Sequence, residues 1–90
     1  AYKVKFGSST PEADLERAAA ARRVLGAAAH ISGDANQGYS REEALRVARG
    51  AVAAGLTFIE QPVAYHDLEG MAAVAAATPV PIGADEVTVL

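Results

Sequence analysis

The sequence predicts an α/β chain of four parallel strands joined by three helices, in the order βαβαβαβ. Three observations predict it: four short apolar segments at nearly even spacing, a helix-start signal after each of the first three, and a glycine closing two of the helices. Strands separated by helical crossovers run parallel, which leaves an open doubly wound sheet or an arc of a barrel. No Gly-x-Gly-x-x-Gly follows any strand, so a dinucleotide-binding sheet has no support.

Tyr2-Lys3-Val4-Lys5-Phe6 alternates apolar and polar residues, the period of a strand, and Gly7-Ser8-Ser9-Thr10-Pro11 supplies a turn with a helix start. Thr10 caps that helix and Pro11 takes its first position. Leu15, Ala18, Ala21 and Leu25 then recur at helical spacing up to Gly26, so the first helix is expected over 11–25. His30-Ile31-Ser32-Gly33-Asp34 has weaker strand propensity, but its place before Asn36-Gln37-Gly38 marks it as the second strand. Ser40 and Glu43 form a capping-box pair that opens a helix through about Ala54, closed by Gly55. Gly50 inside it costs about 1 kcal/mol relative to alanine. Leu56-Thr57-Phe58-Ile59-Glu60 is the third strand, ended by Pro62, which cannot continue a central ladder. Asp67 caps a third helix with Leu68, Met71 and Ala75 on one face, and Val80-Pro81-Ile82-Gly83-Ala84 is the last strand.

The 90 residues suit one small domain and fall short of the roughly 250 of a complete (β/α)8 barrel. On a barrel reading the chain is part of one, and a start at Ala1 rather than methionine points the same way. Hydrophobic residues make up 51%, yet 22 residues are alanine, which buries little apolar area for the backbone entropy lost on folding. The core is therefore expected to be thin, and the isolated chain marginally stable unless other segments cover the sheet. A net charge of −3 with lysines and arginines scattered along the chain argues against nucleic acid as a partner. No apolar run approaches the roughly 20 residues that span a bilayer, and the first residues do not form a signal peptide. No membrane partner is expected, and the cytoplasm is the expected compartment. Without cysteine, any metal must be held by oxygen or imidazole ligands.

Lys5, Asp34, Glu60 and Asp85 stand at or near the C-terminal ends of the four strands, 29, 26 and 25 residues apart. In a barrel those ends converge on one mouth, which would gather one ammonium and three carboxylates in a small volume. Three close carboxylates repel one another and need a cation, and a hard divalent ion such as Mg²⁺ takes this all-oxygen ligand set. Lys3 and Lys5, two apart on a strand, point to the same face, where each ammonium favours loss of the other's proton, as a base near neutral pH requires. Each feature has an ordinary alternative: Lys-x-Lys as a solvated sheet face, Asp34 in a turn, Glu60-Gln61-Pro62 as a strand exit, Asp85-Glu86 as a solvated pair. Their shared station in successive units favours the site.

These residues resemble the barrel domain of the mandelate racemase/muconate lactonizing enzyme family of the enolase superfamily. Lys3-Val4-Lys5 resembles its Lys-x-Lys motif, Asp34-Ala35-Asn36-Gln37 its first metal-ligand motif, Phe58-Ile59-Glu60-Gln61-Pro62 its second and Gly83-Ala84-Asp85-Glu86 its third. The match runs over essentially the whole chain. It implies a partial (β/α)8 (TIM) barrel, the second to fifth strands of eight, with Asp34, Glu60 and Asp85 binding Mg²⁺, or Mn²⁺ in its place. It implies further that Lys5 is the acid/base, that Lys3 tunes Lys5 and touches the substrate carboxylate, and that Asn36 and Glu86 sit just outside the metal. The chemistry would be removal of a proton alpha to a carboxylate, with a cation stabilising the enediolate as it forms. The sequence departs from the family pattern in three ways: no second acid/base from a later strand, no capping domain, and Val87-Thr88-Val89-Leu90 in place of the usual serine after the third metal motif. His30, deep in its strand, and His66, at a helix start, are expected to be structural.

The leading expectation is part of a metal-dependent racemase, epimerase, cycloisomerase or acid-sugar dehydratase acting on a small carboxylate, with the isolated chain inactive. Asp85 followed by Glu86 leans towards the muconate lactonizing branch. The alternatives are a non-catalytic partial barrel that self-associates in place of the missing barrel half and capping domain, and another Mg²⁺-dependent barrel lyase acting on oxoacids.

Overall fold

The computed structural model describes residues 2–83. Within them β1 (Tyr2–Lys5), α1 (Pro11–Leu25), β2 (Ile31–Asp34), α2 (Arg41–Ala54), β3 (Phe58–Glu60), α3 (Leu68–Ala76) and β4 (Ile82–Gly83) alternate as the sequence predicts. The strands form one parallel sheet in the order β1-β2-β3-β4. A doubly wound sheet reverses its strand order at a switch point; here each crossover adds the next strand on the same side. Helix α1 packs on α2 and α2 on α3, so the helices form one layer, the arrangement of a barrel arc.

The helix boundaries follow the capping chemistry. Thr10 accepts the Ala13 N–H, Ser40 and Glu43 complete a reciprocal capping box, and Gly55 takes the left-handed conformation (φ 81°) that ends α2. Asp67 accepts the Gly70 N–H at the start of α3. Strand β3 begins two residues later than expected, because the Leu56 amide returns to Ala51 O in closing α2. Thr57 lies alongside Ile31, with both its amide and its hydroxyl donating to Ile31 O.

Val4, Gly33, Ile59 and Ile82 fall at matching register on the helix-covered face and are buried. Gly33 makes room for the Phe6 ring, which a Cβ would approach to 2.7 Å. Ala44, Ala48, Ala51 and Ala54 line the buried side of α2, so much of the core is alanine. Gly50, which costs helix propensity, lies against α1: a Cβ there would meet Leu15 Cδ1 at 2.6 Å. Two leucines expected on buried faces are exposed. Leu68 (74% exposed) lies about 120° around α3 from the buried Val74. Leu25 ends α1 in an apolar groove with Tyr2 and Val24 along the outer edge of β1. No helix among the described residues is long and apolar enough to cross a membrane.

Candidate active site

The sheet register brings the strand ends into line. Lys5, Asp34, Glu60 and Gly83 occupy one row across β1 to β4. Neighbouring strands lie about 4.8 Å apart, so Asp34 stands one strand from Lys5 and one from Glu60. Side chains alternate between faces, and the residues before this row, Val4, Gly33 and Ile59, face the helices. Lys5, Asp34 and Glu60 therefore share the opposite face.

Lys3, two residues before Lys5, lies on that face with its Nζ 3.2 Å from Glu60 Oε1. Glu60 is buried at the centre of the sheet, with a side chain 12% exposed, so the Lys3 ammonium balances a carboxylate largely withdrawn from water. Asp34 is half-buried, and its Oδ1 accepts the Asn36 N–H at 3.0 Å. The Asn36 contact is thus made by the backbone. Asp85 and Glu86 lie outside the described residues. Among the described residues no three acidic or histidine side chains are grouped closely enough to hold a metal; the row supplies two of the three expected carboxylates.

The loops beyond the row carry backbone strain. Asn36 (φ 48°), Gln37 (φ 63°) and Gln61 (φ 46°) are non-glycine residues in the left-handed region, which costs about 1–2 kcal/mol for a residue with a side chain. Hydrogen bonds between the two loops hold them there. The Gln37 N–H donates to Gln61 O at 2.7 Å, the Tyr65 N–H donates to Gln37 Oε1 at 2.9 Å, and the Gln61 side-chain amide meets the Tyr65 hydroxyl. Strain of this kind collects where loops must present side chains in one geometry.

His30 is not deep in a strand as expected. It precedes β2, is exposed, and has its Nδ1 3.0 Å from Thr57 Oγ1 at the end of the sheet away from the row. His66 is exposed in the segment before α3.

Sequence reasoning missed Asp14. An acid in the first turn of a helix reads as a complement to the helix dipole, with nothing local to mark it as buried. The structure buries it completely, with Gly7, Ser9, Arg17 and Tyr39 donating to its carboxylate. Burial pushes the Tyr39 phenol well above its usual 10.0, and the hydrogen bond to Asp14 and the charge of that carboxylate push it further. A phenol whose folded pKa is raised contributes stability that is fully present below the unfolded pKa and is lost as pH rises beyond it. Stability should therefore decline above about pH 10 as the unfolded chain ionises. Tyr39→Phe should remove that part of the decline in denaturant unfolding at pH 8–11; an unchanged slope would show that the phenol carries no such linkage.

A singly wound parallel arc with charged residues at its strand C-termini has the architecture of part of a (β/α)8 barrel. Residues 1–89 match the family described as enolase C-terminal domain-like, and the chain belongs to that family, among the mandelate racemase/muconate lactonizing enzymes of the enolase superfamily. It is 40% identical over 86 residues to the L-Ala-D/L-Glu epimerase of Bacillus subtilis, covering 93% of this chain and 24% of the epimerase. Muconate cycloisomerase from Pseudomonas fluorescens superposes with a TM-score of 0.84 at 35% identity, over 94% of this chain and 24% of that one. L-Talarate dehydratase from Polaromonas, complexed with Mg and L-glucarate, superposes with a TM-score of 0.82 at 37% identity, over 90% of this chain and 23% of that one. The chain thus spans about a quarter of the length of these proteins.

Proposed function

We propose that this chain is part of an Mg²⁺-dependent enzyme that removes a proton alpha to a carboxylate, in racemase/epimerase, cycloisomerase or acid-sugar dehydratase chemistry. The observation that carries the reading is the row Lys5–Asp34–Glu60, an ammonium and two carboxylates in register at the C-terminal ends of neighbouring strands. The relatives named above supply the reaction types, and the Polaromonas dehydratase supplies the metal and an acid-sugar ligand. On this reading residues 1–90 are the second to fifth strands of a barrel, completed by its other half and a capping domain.

The residues present fit a hard cation. Asp34 and Glu60 offer carboxylate oxygens, the donors Mg²⁺ or Mn²⁺ takes, and Glu60 already has the positive charge of Lys3 against it. Asp34, Glu60 and Asp85 would hold the ion, with Asn36 and Glu86 just outside. When bound, it supplies positive charge against the second negative charge that a carboxylate gains as its alpha proton leaves. Lys5, at the row's end on β1, takes that proton on its Nζ and can return it. Lys3, two residues before Lys5 on the same face and paired with Glu60, places a positive charge where it attracts the substrate carboxylate. Glu60 itself is buried, so water screens its charge only weakly.

In the complete barrel, Lys5→Ala is expected to abolish exchange of the alpha proton for solvent deuterium in acid sugars and dipeptides, followed by NMR in Mg²⁺. The isolated 90-residue chain should show little or no exchange. Exchange by the complete protein that survives Lys5→Ala undiminished would remove Lys5 from the mechanism.

A further inference from the structure

Asp14 lies on the first turn of α1, and its contacts run to the loops behind the row. Its Oδ2 accepts the Gly7 N–H at 3.0 Å, in the loop leaving β1, and the Tyr39 hydroxyl, in the loop leaving β2. Its Oδ1 accepts the Ser9 hydroxyl at 3.3 Å and the Arg17 guanidinium. Arg17 in turn donates to Lys5 O at 2.6 Å. One carboxylate therefore ties the exit of the strand carrying Lys3 and Lys5 to the exit of the strand carrying Asp34.

The two exits also meet directly. The Phe6 N–H donates to Asp34 O at 2.8 Å, and a Cβ on Gly7 would come within 2.5 Å of Ala35 O. A Cβ on Gly38 would come within 2.8 Å of Gly7 O. With so little slack between the backbones, a shift of one loop must displace the other. A buried carboxylate with four donors is a costly way to fill space that an apolar side chain could occupy, whereas it fixes several backbone and side-chain groups at set distances.

We propose that Asp14, acting with Tyr39, is a positioning residue for the site, setting the separation of Lys5 from Asp34 by locking the β1 and β2 exits to each other. The role rests on the Mg²⁺ reading above, with Asp34 as a ligand. Partners that orient a metal's ligands from outside commonly change metal affinity by about 10–100-fold when removed, and a link this indirect belongs at the low end.

The test is Mg²⁺ titration of the chain by calorimetry, at a temperature where circular dichroism shows wild type and variants folded, with thermal stability measured in chelator. Tyr39→Phe keeps the ring and breaks the tie between the loops; it should weaken Mg²⁺ binding about tenfold. Ser9→Ala removes a donor to the same carboxylate within one loop, and its Mg²⁺ affinity should match the wild type even where its metal-free stability falls. If Tyr39→Phe does not fold, Asp14→Ala, which removes the oxygen that the Gly7 amide and the Tyr39 hydroxyl share, carries the same expectation. An unchanged affinity in the tie-breaking variant, or an equal loss in Ser9→Ala, overturns the positioning role. If the wild type itself binds no Mg²⁺, the metal reading falls and this role with it. Binding that Glu60→Gln abolishes and Tyr39→Phe leaves intact overturns this role alone.

Discussion

Glu60→Gln is expected to remove most of the Mg²⁺-dependent stabilisation of the chain. An ion bound by the folded form and not by the unfolded one stabilises by about 2.7 kcal/mol at a hundredfold excess over its dissociation constant. Glu60 is the middle member of the proposed ligand set, on the strand between β2 and β4, so its loss should remove most of that gain. The metal-free arm is set by two opposing changes. Neutralising Glu60 relieves its repulsion with Asp34 one strand away, which favours the folded form, but it also removes the partner 3.2 Å from the Lys3 ammonium, which opposes it. The sequence alone suggests a small stabilisation without metal; the Lys3 pair reduces that expectation to a small change of either sign. Thermal unfolding of both proteins in Mg²⁺ and in chelator checks this. An equal loss in the two conditions would make the carboxylate structural and sink the metal site.

Ile59→Ala is expected to cost about 2–5 kcal/mol, because it removes a fully buried side chain at the centre of the sheet and leaves a cavity. Ile59 faces the helices from β3, aligned with Gly33 on one side and Ile82 on the other. Gly33 has no side chain to relax into the space, and the nearby α2 presents alanines, so collapse around the cavity is limited. A domain of this size has a total stability of roughly 5–13 kcal/mol at the usual stability per residue. The loss would take a large part of it. Urea unfolding should show it, while Val52→Ala, at a position 60% exposed, should change little. A cost for Ile59→Ala below about 1 kcal/mol would mean that the core lies elsewhere.

The elements were legible because their signals are local. Thr10-Pro11, the Ser40–Glu43 box, Gly55 and Asp67 each act within one turn of helix, where the hydrogen-bond partners are three or four residues apart in sequence. The polar residues at the strand ends were legible for a related reason: repeated strand–helix units put corresponding residues at nearly constant intervals. Leu25, Leu68 and Gly50 show where that legibility stops. Helical spacing identifies residues sharing a face, but which way the face points depends on the neighbouring elements, and a glycine's use depends on what packs against it.

By itself the sequence determined the order of strands and helices, their caps, and the station of Lys5, Asp34 and Glu60 at the strand ends, with Lys3 two residues before Lys5. Between a doubly wound sheet and a barrel arc, periodicity did not choose and the motif resemblance implied the arc; the tertiary structure shows it directly, since strand order and the side taken by each crossover are relations between segments about 25 residues apart. It alone paired Lys3 with Glu60 across two strands, and it alone withdrew Asp14 from solvent to join the loops of β1 and β2. The physical reason is the same in each case. Burial and charge pairing are set by what surrounds a side chain in space, and for these residues the partners come from strands and loops distant in sequence.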